Sequence, residues 1–290
     1  MVAGSSVVAL GLSAAAVWGT ADFCGGIAAK GARPTFVVAV AHGFSLLLLL
    51  LAAFFFHAPL SGYGVDGLMS GIFCGAGLIA LYSALSAGSM GLSAALAGVL
   101  TAIFPVLFSW FREGHASPLQ LIGFAVAVVA IWLIAYTPER TRSERRNSGS
   151  LALAVVAGLC FGAMLVFMHL AARQGVFGAL VAMRVVSTSI ALLCGVAVYL
   201  SRSTRAGSGI GFPSGKLLLL AMLAGVLDTS GNLLYLFASK SGRLDVTAVL
   251  SSLYPAGTML LAAWLLKERA TRGQTAGMAL ALAAVVLISM

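Results

Sequence analysis

This chain of 290 residues is 61% hydrophobic and only 9% charged, whereas about a quarter of the residues in a soluble domain carry charge. Its net charge of +9 does not indicate a nucleic-acid partner, because Lys and Arg lie in short breaks between apolar runs. Composition therefore excludes a soluble domain and predicts an all-α, polytopic protein of the lipid bilayer.

Ten apolar stretches follow one another along the chain, and each has the roughly 20 residues that a helix needs to cross the hydrocarbon core. We predict transmembrane helices near 5–28, 35–56, 67–86, 92–111, 118–137, 150–172, 177–200, 217–239, 245–266 and 273–290. The first stretch continues into Trp18 and Asp22 without a cleavage site, so we interpret it as a retained helix and not a signal peptide.

The charged segment 138–149 divides the chain into a first unit, 1–137, and a second unit, 150–290. The units align at Trp18 with Phe161, His42 with Arg184, Tyr82 with Tyr235, and Pro105 with Pro255. Because each unit holds five predicted crossings, an odd number, the second must enter the membrane from the opposite side. The pattern predicts two inverted five-helix repeats, an architecture of secondary transporters whose substrate site lies between the halves.

The motifs resemble those of the ten-helix EamA-type members of the drug/metabolite transporter superfamily. They are WGTADF at 18–23, a proline late in the fourth helix of each half, and the turn WLLKERATRGQTAG at 264–277. The resemblance covers nearly the whole chain, and the order of the motifs within the repeat is its most specific feature. It implies uptake or efflux of a small metabolite or drug, often an amino acid or a related compound.

Charged side chains within the apolar stretches are costly and need a partner, water or a function. Asp228, Asn232 and Tyr235 follow one another at spacings of four and three and share one helical face. This face is either a substrate or proton site or a structural clasp between helices. Asp22 lies one turn after Trp18, so it either contacts substrate beside an aromatic ring or reaches water at the helix end.

Arg184 either binds a carboxylate substrate or pairs with Asp22 or Asp228. His42, at the matching repeat position, either titrates near neutral pH or is a hydrogen-bonded core residue. Tyr82, the counterpart of Tyr235, belongs to the same set of candidate binding residues.

Pro105 and Pro255 each free a backbone carbonyl one turn earlier, and the sequence predicts kinks suited to a gate. Ser251 and Tyr254 precede the second proline and are candidate binding residues, or their hydroxyl groups bond their own helix. From Pro105 to Glu113 is 8 residues (113 − 105), but from Pro255 to Glu268 is 13 (268 − 255). Either the fourth helix is shortened or Glu113 and Glu268 are not equivalent.

The leading hypothesis is a secondary transporter that moves a small amino acid-like or drug-like solute by alternating access, coupled to protons through Asp228 or Asp22. The sequence has no Walker, HExxH or GxSxG motif, and its cysteines lack metal-ligand spacing, so we expect no enzyme activity, cofactor or metal. The alternatives are a lipid-carrier flippase, which needs a lateral opening, a membrane-embedded enzyme, or a structural subunit without a polar cavity.

The distribution of positive charge predicts the orientation in an inner (plasma) membrane. With ten crossings, twelve Lys and Arg residues lie on one side and four on the other. The positive-inside rule then places both termini outside. Many ten-helix relatives are thought to have both termini in the cytoplasm.

Overall fold

The structure is a computed structural model that describes residues 2–61, 63–113, 117–135, 144–203, 214–241, 244–267 and 272–289. These residues form α-helices and no strand, so the predicted all-α class is confirmed. The helices are α1 (Val2–Gly31), α2 (Pro34–Phe55), α3 (Gly64–Ala87), α4 (Met90–Thr101), α5 (Ile103–Glu113), α6 (Pro118–Ala135), α7 (Glu144–Ala172), α8 (Val176–Ser203), α9 (Gly215–Ser241), α10 (Leu244–Ser251), α11 (Tyr254–Leu265) and α12 (Arg272–Ser289).

Six of these helices contain a segment long and apolar enough to cross a membrane. The segments, in α1, α2, α3, α7, α8 and α9, are Val7–Gly31, Pro34–Phe55, Gly64–Ala87, Gly149–Ala172, Val176–Ser201 and Gly215–Lys240. The chain is therefore a multi-pass membrane protein. The count of ten crossings remains a prediction, because α4, α5, α10 and α11 have only 12, 11, 8 and 12 residues.

The stretches near 92–111 and 245–266 were predicted as single helices, and each is two helices in the structure. Proline has no amide hydrogen, so it cannot donate to the carbonyl four residues earlier. For Pro105 that carbonyl belongs to Thr101, the last residue of α4, and for Pro255 to Ser251, the last residue of α10. Proline thus interrupts both helices where a kink alone was expected.

The helices that follow the two breaks are nearly equal in length, with 11 residues in α5 and 12 in α11. Glu113 is the last residue of α5, whereas α11 ends at Leu265, before Glu268. Residues 114–116 and Glu268 lie outside the described residues, so the choice between a shortened fourth helix and a wrong pairing of Glu113 with Glu268 stays open.

The most extensive helix contacts join a helix of residues 2–135 to a helix of residues 144–289. Helix α3 packs on α7 and α8, α1 on α9 and α11, α2 on α8 and α9, α4 on α7 and α11, and α6 on α12. One hydrophobic core runs through this contact region and contains Trp18, Tyr82, Phe161, Tyr235 and Tyr254. The two sequence halves are thus interleaved, and any site at the core draws on both.

Glycines bring the helices of the two halves close together, as expected for GxxxG pairs. A Cβ atom on Gly75 of α3 would lie 3.0 Å from the Ser187 Cα atom of α8. One on Gly158 of α7 would lie 2.7 Å from the Leu100 Cβ atom of α4. Gly273 of α12 has no such neighbour within 4 Å, so not every glycine with this spacing lies at a close contact.

Candidate functional site

A chamber lies in the contact region between the two halves. Its lining combines two carboxylates and three aromatic rings with small and apolar side chains. The lining residues are Trp18 and Asp22 of α1, Cys74 and Leu78 of α3, Thr101 of α4, Phe161, Met164 and Leu165 of α7, Asp228 of α9, and Tyr254 of α11. Its volume of about 30 Å³ has room for roughly two water molecules, so this conformation of the chamber is narrow.

A buried ion pair between Arg184 of α8 and Asp228 of α9 stands beside the chamber. The Arg184 Nη2 atom donates to the Asp228 Oδ2 atom. The Arg184 side chain is fully buried, while that of Asp228 is 15% exposed and lines the chamber. The sequence left Asp22 and Asp228 as possible ion-pair partners of Arg184, and in the structure the partner is Asp228.

Further donors and acceptors fix both members of this ion pair. The Arg184 Nε atom donates to the Thr229 Oγ1 atom at 3.1 Å, and its Nη1 atom donates to the Cys74 Sγ atom at 3.7 Å. The Asn232 Nδ2 atom donates to the Asp228 Oδ2 atom at 3.4 Å. The His42 Nε2 atom lies 3.7 Å from the same oxygen, beyond hydrogen-bond distance. The guanidinium group is therefore held by three different side chains.

Three aromatic rings from three helices border the chamber. The centroid of Tyr254 lies 6.5 Å from that of Trp18 and 6.5 Å from that of Phe161, with interplanar angles of 86° and 84°. The Trp18 Nε1 atom donates to the Asp228 backbone oxygen at 3.2 Å, so its polar edge is satisfied by α9. Edge-to-face contacts of this kind keep the rings in fixed mutual orientations.

Asp22 is the second carboxylate of the chamber, and its surroundings differ from those of Asp228. It is only 6% exposed, and no described residue forms a hydrogen bond or an ion pair with it. Asp228 and Tyr82 lie within electrostatic reach of it. The charge of an ionised Asp22 is therefore not compensated by a described cation.

Tyr82 and Tyr235, which the sequence alignment of the two halves pairs, are fully buried but have different surroundings. The Tyr235 hydroxyl donates to the Leu165 backbone oxygen at 3.2 Å and joins α9 to α7. Tyr82 packs where Gly25 of α1 leaves space, and its hydroxyl has no hydrogen-bond partner among the described residues. Tyr235 thus acts as a structural clasp, while Tyr82 keeps an unused polar group near Asp22.

The hydroxyl groups near the helix breaks have two kinds of partner, their own helix and the neighbouring helix α1. The Thr101 and Ser252 hydroxyls donate to backbone oxygens of their own helices. The Ser251 hydroxyl donates to the Gly11 oxygen at 3.5 Å, and that of Thr258 donates to the Gly19 oxygen at 3.0 Å. Helices α10 and α11 are therefore fastened to α1 on both sides of their break.

The structure brings together most of the predicted site residues. Trp18, Asp22, Asp228 and Tyr254 line the chamber, and Arg184, His42 and Asn232 contact or approach Asp228 behind it. Ser251, Tyr82, Tyr235, Pro105 and Pro255 do not line it.

Sequence reasoning missed Cys74, Phe161 and Thr229 as site residues. A single cysteine in an apolar stretch is typical of a hydrophobic core, yet Cys74 lines the chamber and accepts a hydrogen bond from Arg184. Phe161 could have been found from its alignment with Trp18, and Thr229 from its position next to Asp228. No group of metal-ligating side chains occurs among the residues that the structure describes.

Comparison with known proteins agrees with the resemblance seen in the motifs. Residues 148–290 match the sequence model of the EamA-like transporter family. No curated protein matches the chain in sequence. One crystal structure is similar to this chain with a TM-score of 0.68 at 16% identity, covering 98% of this chain and 97% of the other. At this identity the similarity concerns the fold alone.

The Arg184–Asp228 ion pair predicts a specific pattern of stability loss. Arg184→Gln or Asp228→Asn should each lower the free energy of unfolding by about 3 kcal/mol, because each leaves a buried charge or its ligands unpaired. The double variant should lose clearly less than the sum of the two. Unfolding of purified protein in detergent measures this, with Asp66→Asn at the start of α3 as a neutral control. Additive losses would show that the two side chains do not depend on each other.

Proposed function

We propose, since this chain belongs to the EamA-like transporter family of the drug/metabolite transporter superfamily, that it is a secondary transporter for a small amino acid-like or drug-like solute. The observation that carries this proposal is the position of the chamber. Its lining comes from α1, α3 and α4 of the first half and from α7, α9 and α11 of the second. A chamber between two halves can open to either side of an inner membrane in turn, as alternating access requires.

The proposed architecture is two inverted repeats of five crossings each. In it, α4 with α5 and α10 with α11 form one broken crossing each, and α6 and α12 supply the fifth crossing of each half. The helix contacts support this proposal because they occur in matched sets. The contact of α3 with α7 corresponds to that of α9 with α1, and the contact of α3 with α8 corresponds to that of α9 with α2.

The side chains at one matched position add to this support. His42 of α2 and Arg184 of α8 occupy equivalent positions of the repeat, and both approach the Asp228 Oδ2 atom. Two helices related by a repeat axis would present equivalent residues to the same central point. The chamber itself is asymmetric, since the position in α3 that matches Asp228 (228 − 153) is Gly75.

The competing functions fit the site less well. A structural subunit has no need for a chamber with two carboxylates, which is costly to keep in a membrane. A membrane-embedded enzyme requires a nucleophile with an adjacent base or a metal, and neither arrangement is found around the chamber in the described part of the chain. A flippase requires a lateral opening, and the lining residues are at least half-buried within the bundle.

Alternating access predicts that Cys74 is reached from both sides of the membrane. In a variant that keeps Cys74 and carries Ala at Cys24, Cys160 and Cys194, membrane-impermeant methanethiosulfonates should label the thiol in right-side-out and in inside-out vesicles. A cationic and an anionic reagent are used in parallel, so that the result does not depend on reagent charge. Mass spectrometry of the purified protein measures the labelled fraction.

A variant that keeps only Cys24 is the matched control. Cys24 is buried in α1 but does not line the chamber, so it should stay unlabelled from either side. Labelling of Cys74 from one side only, or from neither, would contradict alternating access.

Asp22 is the stronger of the two proposed proton-coupling residues, because Arg184 already compensates Asp228. Asp22→Asn should abolish uptake driven by a pH gradient in proteoliposomes, using as substrate a metabolite found by thermal-shift screening of the purified protein. Asp66→Asn makes the same change outside the chamber and should retain gradient-driven uptake. Coupling through Asp22 is wrong if the Asp22→Asn protein still accumulates the metabolite at the wild-type rate.

The proposed orientation has both termini outside, from the twelve-to-four distribution of Lys and Arg between the two sides. Alkaline phosphatase fused to the C-terminus, which is active only outside the cytoplasm, should therefore be active. A fused fluorescent protein that folds only in the cytoplasm should remain dark. The opposite pair of results would reverse the orientation and leave the transport proposal in place.

A further inference from the structure

The charges around the chamber do not balance. Among the residues that the structure describes, Asp22 and Asp228 are the charged members of its lining, and no described Lys, Arg or His belongs to it. Arg184 forms an ion pair with Asp228, and His42 lies beside the same carboxylate. Neither Arg184 nor His42 forms an ion pair with Asp22, so an ionised Asp22 keeps an uncompensated negative charge.

The apolar part of the lining is suited to the same kind of ligand. Trp18, Phe161 and Tyr254 border the chamber, and the Tyr254 ring stands nearly perpendicular to both others. Aromatic faces attract organic cations through their negative quadrupole, and the attraction is strongest where water is excluded. All three rings are buried, with exposed fractions of 7%, 9% and 4%.

We propose that the chamber recognises a monovalent organic cation, an amine or a quaternary ammonium group, held by Asp22 and surrounded by Trp18, Phe161 and Tyr254. This inference rests on the proposed transport function and narrows its amino acid-like or drug-like solute to an organic cation, to the exclusion of zwitterionic amino acids. A cation of single charge balances the one uncompensated carboxylate, whereas an anion is repelled by that same charge on Asp22. The carboxylate of a zwitterion finds no free cation in the lining, because the Arg184 guanidinium group is occupied by Asp228, Thr229 and Cys74.

Binding to purified protein in detergent tests the inference without any transport. The probes are benzylammonium, its neutral isostere benzyl alcohol, and benzoate, measured by isothermal titration calorimetry. Benzylammonium should bind wild-type protein at least tenfold more tightly than benzyl alcohol, and benzoate should show no saturable binding. Equal affinity for the cation and the alcohol, or tighter binding of benzoate, would overturn the proposal.

Two matched pairs of variants locate the site. Asp22→Asn should remove the tenfold advantage of benzylammonium, while Asp66→Asn should keep it. Phe161→Leu should weaken cation binding about fivefold, whereas Phe73→Leu should leave it unchanged, because Phe73 stacks on Phe167 and does not line the chamber. An Asp22→Asn protein that retains the advantage would contradict the proposal, and if that variant does not fold, the ligand series on wild-type protein decides alone.

The two proposals fail in different experiments. Two-sided labelling of Cys74 without preference for the cation leaves transport standing and ends the cation assignment. If the protein prefers the cation but Cys74 is labelled from one side only, the cation assignment stands and alternating access is wrong.

Discussion

The cost of charge in an apolar interior is the constraint on which this structure depends. Arg184 is fully buried in a chain that crosses the membrane, and the helices around it are arranged so that each of its nitrogens finds an acceptor. The acceptors come from α3 and α9, so a single side chain of α8 connects both sequence halves. Removing the partner of such a charge is far more costly than never having buried it. The geometry of the chamber wall therefore follows from how one guanidinium group is satisfied.

A related constraint acts on the backbone at the two helix breaks. Each break leaves carbonyl groups without a donor from their own helix, which a membrane tolerates only where other protein groups or an aqueous cavity can satisfy the backbone. The break between α10 and α11 lies against α1, and the hydroxyls of Ser251 and Thr258 bond α1 on either side of it. Gly19 is essential to this approach, since any side chain there would collide with the Tyr254 backbone oxygen. Irregular backbone thus occurs beside the chamber and is supported by a neighbouring helix.

The sequence predicted the residues that are out of place in an apolar stretch. Asp22, Asp228, Arg184 and Asn232 could be found because polar groups at that depth require a reason, and all four lie at or beside the chamber. Cys74 and Phe161 gave no such signal, because small and aromatic residues are ordinary in a hydrophobic core. The choice between partners for Arg184 could not be made from spacing either, since it depends on how α8 and α9 pack.

The two helix breaks and the two aligned tyrosines also show that sequence patterns do not predict contacts that depend on packing. Pro105 and Pro255 indicated a disturbance in their helices, but the sequence did not distinguish a kink from a helix that ends and begins again. The predicted alignment of Tyr82 with Tyr235 is consistent with their equal burial. Their hydroxyl groups differ, however, because that of Tyr235 donates to the Leu165 carbonyl, whereas that of Tyr82 packs beside Gly25 without a described partner. Local sequence identified the elements, and packing decided what each side chain touches.

Trp18 donates to the backbone of Asp228, and its ring fills the space that Gly231 leaves one turn further along α9. These two contacts hold helix α1 against α9, so a tilt of one helix would move the other as well. The rigid pieces of the molecule are therefore assembled from both halves of the gene product. Any movement of this part of the chamber wall would therefore involve helices of both sequence halves together.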